Sequence, residues 1–234
     1  MTAPEANTTG RGKSADTADT SWLPELGGRF LVFDGPDGAG KSTQLRRLVA
    51  SARTRGVTVC EVREPGGTHV GERIRHALLE HSDEEMSLRC EMLLYMASRA
   101  QLVEQRIVPA LGRGELVIAD RFVSSTLVYQ GLAGGLPREE ILSAAQIATG
   151  GVNPDLTVVF EVDEKTAAAR LNPLMDRMES KGADFHARVR QGYREIVAKD
   201  PEGYTSVDAR GTEDEVWAEL LSTLRRRLCD GVSA

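Results

Sequence analysis

Gly35-Pro36-Asp37-Gly38-Ala39-Gly40-Lys41-Ser42-Thr43 has the spacing GxxxxGK[ST] and follows directly on the apolar run Phe30-Leu31-Val32-Phe33. Glycines at this spacing let backbone N–H groups close around a phosphate, and the helix that starts after them turns its positive end toward the same anion. Lys41 then reaches the β- and γ-oxygens of a nucleotide, and the Ser42 hydroxyl is suited to ligate Mg²⁺. A second pair, Asp120-Arg121, closes the run Leu116-Val117-Ile118-Ala119. Ligands of open α/β sheets bind at the carboxyl ends of strands, so Asp120 can hold Mg²⁺ through water and Arg121 can clamp a phosphate. The chemistry indicated is phosphate binding with a divalent cation.

Such residues need strands that end together and helices that begin there. Short β-rich runs at 30–33, 57–62, 116–119, 156–162 and 204–208 alternate with helical patterns at 43–55, 71–80, 85–112, 138–149, 164–171, 182–199 and 212–228. This alternation predicts βαβ units, hence an α/β fold with a five-stranded parallel sheet covered by helices on both faces. The longest helical pattern, 85–112, carries Met92, Tyr95, Met96, Arg99, Val103 and Ile107 as a mixed stripe. Residues 1–27 hold almost no large apolar side chain before Trp22 and Leu23, so they read as a disordered tail, with 28–234 a single domain.

Composition narrows the partners. The 234 residues include 29 Lys+Arg and 35 Asp+Glu, a formal net charge of -6, and 41% hydrophobic residues. Net acidity argues against a nucleic-acid backbone or an anionic membrane as the main partner. No apolar run approaches the roughly 18 residues of a membrane span. Cys60, Cys90 and Cys229 are odd in number and far apart, which suits a reducing cytoplasm. His69, His76, His81 and His186 show no metal spacing, and Arg225-Arg226-Arg227 complement the dipole of the last helix.

A phosphate loop alone leaves GTPases, motors and small-molecule kinases open, although the NKxD guanine motif is absent. The remaining motifs decide. FDGPDGAGKST at 33–43, Arg63-Glu64-Pro65-Gly66-Gly67-Thr68 with GERIR at 71–75, and DRFVSSTLVYQG from Asp120 together resemble the bacterial thymidylate kinase family over about 28–225. The resemblance implies a phosphate-loop nucleoside-monophosphate kinase fold that transfers the γ-phosphoryl of ATP to dTMP in dTTP synthesis. It also implies small-molecule partners ATP and dTMP, Mg²⁺, and a homodimer formed near the 85–112 segment. Related readings are a kinase for another deoxynucleotide or nucleoside, or a regulatory ATPase.

Residue by residue, the resemblance makes Tyr95 the aromatic that stacks on thymine and Arg99 an arginine facing the base and phosphate. Arg121 grips the dTMP phosphate, and Ser125, Thr126 and Gln130 approach the base. Tyr129 packs against C2′, which leaves no room for a 2′-hydroxyl, and Asp37 stands near the 3′-hydroxyl and the metal. Glu64 and Pro65 line the acceptor site. The segment at about 168–182 resembles the family's lid, in which Arg177 first and Arg170 second are expected to stabilise the transferring phosphoryl group. With Lys41, Asp37 and Arg121 these arginines make up the expected catalytic set, because the phosphate loop itself holds no arginine. Asp34 stands where the family more usually has Glu, and its role is left open.

Overall fold

A computed structural model describes residues 18–81, 85–170 and 177–230. Residues 1–17 of the expected tail and 171–176 of the expected lid lie outside the described residues. Strand β1 (Phe30–Asp34) feeds the phosphate loop and helix α1 (Lys41–Thr54). Then come β2 (Val59–Arg63), α2 (His69–Leu79) and α3 (Leu88–Leu102). Helix α3 runs through a π-helical turn at Val103–Ile107 into α4 (Val108–Gly112), so the expected 85–112 helix is segmented. After β3 (Leu116–Asp120), α5 (Val123–Thr126) passes into a π-helical stretch, Leu127–Leu132, where the sequence reading expected no helix. The rest is α6 (Arg138–Thr149), β4 (Leu156–Glu161), α7 (Glu164–Arg170), α8 (Ala183–Lys199), β5 (Tyr204–Asp208) and α9 (Glu213–Leu228).

All pairings are parallel, in the order β2-β3-β1-β4-β5. The inner strands β1, β3 and β4 are buried along almost their whole length, as a parallel sheet covered on both faces requires. Alternation splits their side chains. Leu31 and Phe33 pack with Leu45 and Leu48 of α1 and Trp217 of α9, whereas Phe30 and Val32 pack with Leu102, Val103 and Phe122. Register sets Phe33 beside Asp120, and Asp120 beside Arg63 on its other side, so three strands deliver their ends to one edge. The order reverses at β1 and β3, which is where such sheets open a binding crevice.

Two glycines explain how the loop fits on this edge. Gly35 has φ +132°, and a side chain there would meet the Phe160 carbonyl oxygen at 2.5 Å. Gly38 has φ +76°, and its Cβ would stand 2.5 Å from the Ala167 carbonyl oxygen. Neither conformation nor space admits a larger residue.

The packed region begins earlier than the sequence suggested. Leu23–Leu26 forms a single 3₁₀ turn, and Trp22, Leu23 and Leu26 are buried in the core beside α1 and α9. Three apolar residues among polar neighbours lower the local hydrophobicity too little to reveal a docked segment. Leu23 is 0% exposed, so Leu23→Ala should cost about 2–5 kcal/mol in urea unfolding. An unchanged midpoint would return these residues to the tail.

Candidate active site

The strand ends open on a cleft of about 1030 Å³, lined among others by Lys41, Ser42, Asp120, Arg121, Tyr95 and Gln130. At the phosphate-loop end, Ser42 Oγ donates to Asp120 Oδ2 at 2.9 Å. A hydroxyl and a carboxylate joined in this way offer hard oxygens to Mg²⁺, which binds through few protein ligands plus water and phosphate. Among the described residues no group of three or more His, Cys, Asp or Glu forms a cage, and Mg²⁺ needs none. Lys41 Nζ donates to the carbonyls of Gly35 at 3.0 Å and Pro36 at 2.8 Å. Burial first, then the Arg121 charge, lower its ammonium to about 8, against the opposing pull of Asp37, Asp120 and Asp34.

Arg121 is the centre of the site. Its backbone φ is +72°, a conformation that side-chain-bearing residues adopt at a cost, and its N–H donates to the Phe33 carbonyl at 2.9 Å. The guanidinium lies between two carboxylates. Nη2 is paired with Asp37 and Nη1 reaches Asp34 at 3.3 Å, Ser125 Oγ at 3.0 Å and Tyr193 Oη at 3.2 Å. Asp34 is fully buried at the end of β1, where it accepts from Ser124, Ser125, Tyr193 and the Gly35 N–H. Asp37 also accepts from Tyr129 Oη at 2.8 Å, and that ring lies 5.2 Å from the Arg121 guanidinium carbon. Burial pushes the Asp37 carboxyl up, but the charges of Arg121 and Lys41 and the Tyr129 hydrogen bond outweigh it and bring it to about 2. Burial first raises Tyr129 and Tyr193 well above the ordinary phenol range, helped by the Asp37 and Asp34 carboxylates at Tyr129 and by Asp34 at Tyr193, against the opposing charge of Arg121.

A second group occupies the α3 side of the cleft. Tyr95, Glu64, Pro65, Thr126 and Gln130 line it. Arg99 is 1% exposed and sits behind that wall, where Nε and Nη2 donate to Glu64 Oε2 at 2.8 and 2.6 Å and Nη2 reaches Thr126 Oγ1 at 3.2 Å. The second oxygen of Glu64, Oε1, is buried without a hydrogen-bond partner among the described residues. Burial raises the Glu64 carboxyl, and the Arg99 charge opposes it. Thus Arg99 reaches the cleft wall through Glu64 and Thr126.

The two expected lid arginines part company. Arg170, at the end of α7, donates to the carbonyls of Ala209 at 2.7 Å and Gly211 at 3.2 Å, and its Nη1 lies 3.8 Å from where a Cβ on Gly40 would stand. Arg177 instead donates to the Leu78 carbonyl at 2.8 Å and to Glu91 Oε2 at 2.7 Å. The structure therefore brings Arg170 to the phosphate loop and pairs Arg177 with α2 and α3 instead.

The sequence reading brought the phosphate loop, Asp120, Arg121, Tyr129 and Gln130 together, but left Asp34 without a role and missed Tyr193 and Glu91 as partners. Tyr193 is 159 residues from Asp34, so no local spacing announces it. Glu91 had a signal: it lies four residues before Tyr95, which lies four before Arg99 on the same helix face. Asp37 makes a pH test available. Its folded value lies below the ordinary 3.8, so its contribution is complete above about pH 4 and is lost as pH falls through about 2. Wild-type stability should drop by on the order of 2 kcal/mol more than that of Asp37→Asn over this window in urea unfolding, and parallel curves would contradict the pairing.

Known proteins are similar to this chain. The sequence model of the family described as thymidylate kinase matches residues 33–220. A thymidylate kinase of an Exiguobacterium species is 41% identical over 208 residues, which is 88% of this chain and 98% of that protein. Those of Desulforudis audaxviator and Deinococcus radiodurans are 42% and 43% identical, covering 86% of this chain in each case and 94% and 98% of the relatives. With a family match over most of its length and relatives of this similarity, the chain belongs to the thymidylate kinase family.

Proposed function

We propose that the protein transfers the γ-phosphoryl group of ATP directly to the phosphate of dTMP, giving dTDP and ADP, with Mg²⁺ as the metal. The observation that carries this reading is Arg121, a cation held between Asp34 and Asp37 beside the phosphate loop. A site for a donor phosphate and a grip for an acceptor phosphate thus share one cleft. An acceptor-phosphate oxygen bonds to the γ-phosphorus while the bond from that phosphorus to the β–γ bridging oxygen breaks. The acceptor oxygen is already anionic, so positioning and charge do most of the work.

Each residue then has a task. Lys41 exchanges the Gly35 and Pro36 carbonyls for phosphate oxygens, carrying its charge with it. Ser42 and Asp120 would hold Mg²⁺, which when bound would neutralise charge on the phosphate oxygens. Arg121 orients the acceptor phosphate. Asp37 holds both Arg121 and the Tyr129 hydroxyl, so the tyrosine ring stands fixed where a sugar would pass and excludes a 2′-hydroxyl. Tyr95 stacks on the base, Thr126 and Gln130 surround it, Ser125 steadies Arg121 instead of approaching the base, and Arg99 with Glu64 and Pro65 supports that wall. Arg170 supplies transition-state charge at the loop end, which its place beside Gly40 supports, and Arg177 does not take that part.

The resemblance also supports a homodimer, for which exposed Val70 on α2 and Leu93 on α3 offer apolar surface. No described helix is long and apolar enough to cross a membrane. Cys60, Cys90 and Cys229 are unpaired, which suits the cytoplasm. Neither nucleic acid nor a membrane is needed as a partner.

An ADP-release assay with Mg·ATP and a panel of dTMP, dUMP, dCMP and thymidine tests the reaction. Selective turnover of dTMP is expected, while preference for thymidine or acceptor-independent hydrolysis would overturn the reading. In the same assay Arg170→Ala should lower kcat at least about a hundredfold with little change in KM for ATP. Arg177→Ala should cost less than about tenfold, and the reverse order would give the transition-state role back to Arg177.

A further inference from the structure

Glu91 is one of the few carboxylates buried away from the phosphate chemistry, with 1% of its surface exposed, and the reaction above makes no use of it. Its two oxygens serve different masters. Oε1 accepts from Gln130 Nε2 at 2.7 Å, and Oε2 accepts from Arg177 Nη2 at 2.7 Å with Lys181 Nζ at 3.6 Å. Gln130 lines the cleft from the π-helical stretch, and Arg177 and Lys181 belong to the chain that leads into α8. Glu91 shares its helix face with Tyr95 and Arg99, at spacings of four residues. One helix therefore carries a carboxylate, an aromatic ring and a guanidinium in a row, of which Tyr95 lines the cleft and the other two lie behind its wall.

A side-chain amide can point either its carbonyl or its NH₂ toward a neighbour, and only the neighbour's chemistry decides between them. A carboxylate held by two cations offers acceptors alone. Gln130 must then give its NH₂ to Glu91, which turns its carbonyl the other way. We propose that Glu91 is a positioning residue that fixes the Gln130 amide, so that the base site meets its occupant with a carbonyl acceptor at that point. Resting on the proposed dTMP kinase reading, this assigns a cause of base selectivity. A base edge with an N–H donor, such as N3–H of thymine or uracil, is accepted, and one with a lone pair there, such as N3 of cytosine, is repelled. Arg177 and Lys181 complete the device by charge-pairing the other oxygen.

Steady-state kinetics with dTMP, dUMP and dCMP on wild type, Gln130→Met, Glu91→Gln and the exchange variant Glu91→Gln/Gln130→Glu test this. Glu91→Gln leaves an amide that donates and accepts, so it releases the orientation of Gln130. It should raise KM for dTMP about tenfold and narrow the dTMP-over-dCMP preference by a similar factor, with KM for ATP within about twofold. A merely structural role would move both substrates together. In the exchange variant the amide again faces a carboxylate with its NH₂, leaving an oxygen toward the base, and most of the preference for dTMP should return. The proposal is overturned if Gln130→Met raises KM for dTMP while Glu91→Gln leaves it unchanged, or if the exchange restores nothing. Unchanged KM in Gln130→Met would instead remove Gln130 from the base site, and the proposal with it. Should Glu91→Gln fail to fold, the exchange variant alone decides, since loss of its dTMP preference contradicts the orientation account.

Discussion

The buried pairing of Arg121 with Asp34 and Asp37 is the interaction on which the rest of the site depends. An unpaired guanidinium with 18% of its side chain exposed would be expensive to keep at the end of a parallel sheet, and so would a fully buried Asp34 carboxylate. Together they are tolerable, because hydroxyls of Ser124, Ser125 and Tyr193 supply the hydrogen bonds that the ion pairs leave unmet. The cluster draws on β1, the phosphate loop, α5 and α8, segments far apart in sequence. Removing Arg121 would strand the buried Asp34 carboxylate, an energetic reason for the left-handed backbone at Arg121 to be tolerated.

The sheet supplies the geometry that makes the cluster possible. Parallel strands in the order β2-β3-β1-β4-β5 end on one edge, so Asp34 and Asp120 emerge there from neighbouring strands, one residue out of register, without any long loop to place them. Helix α1 begins where the loop closes and turns its positive end to the phosphates. On the opposite side α3 carries Glu91, Tyr95 and Arg99 in register, and Arg99 is satisfied by Glu64 from the end of β2. The same device recurs, in which a carboxylate fixes a neighbouring polar group: Asp34 and Asp37 hold Arg121, Glu64 holds Arg99 behind the cleft wall, and Glu91 holds Gln130.

The phosphate loop was legible in the sequence, because the spacing of Gly35 to Thr43 states its chemistry once a strand precedes it, whereas the roles expected of Ser125 to Gln130 rest on the family resemblance. The five strands were legible too, since buried parallel strands read as β-rich apolar runs. What the sequence hid are long-range pairings. Tyr193 meets Asp34, and Arg177 meets Glu91, across separations that no periodicity encodes. The difference between Arg170 and Arg177 was hidden for the same reason, as both are basic residues flanking one segment and only packing tells which one lies beside Gly40. Trp22, Leu23 and Leu26 were read as tail because burial depends on the surface they meet, not on their neighbours in the chain.

The central claim is that Arg121, fixed by its two aspartates, grips the phosphate of the acceptor. Calorimetric titration of dTMP and of thymidine into wild type and Arg121→Met measures that grip, since the two ligands differ only in the phosphate. The account expects dTMP affinity to fall about a hundredfold or more while thymidine affinity changes less than about threefold. Equal losses for both ligands, or none for dTMP, would contradict it.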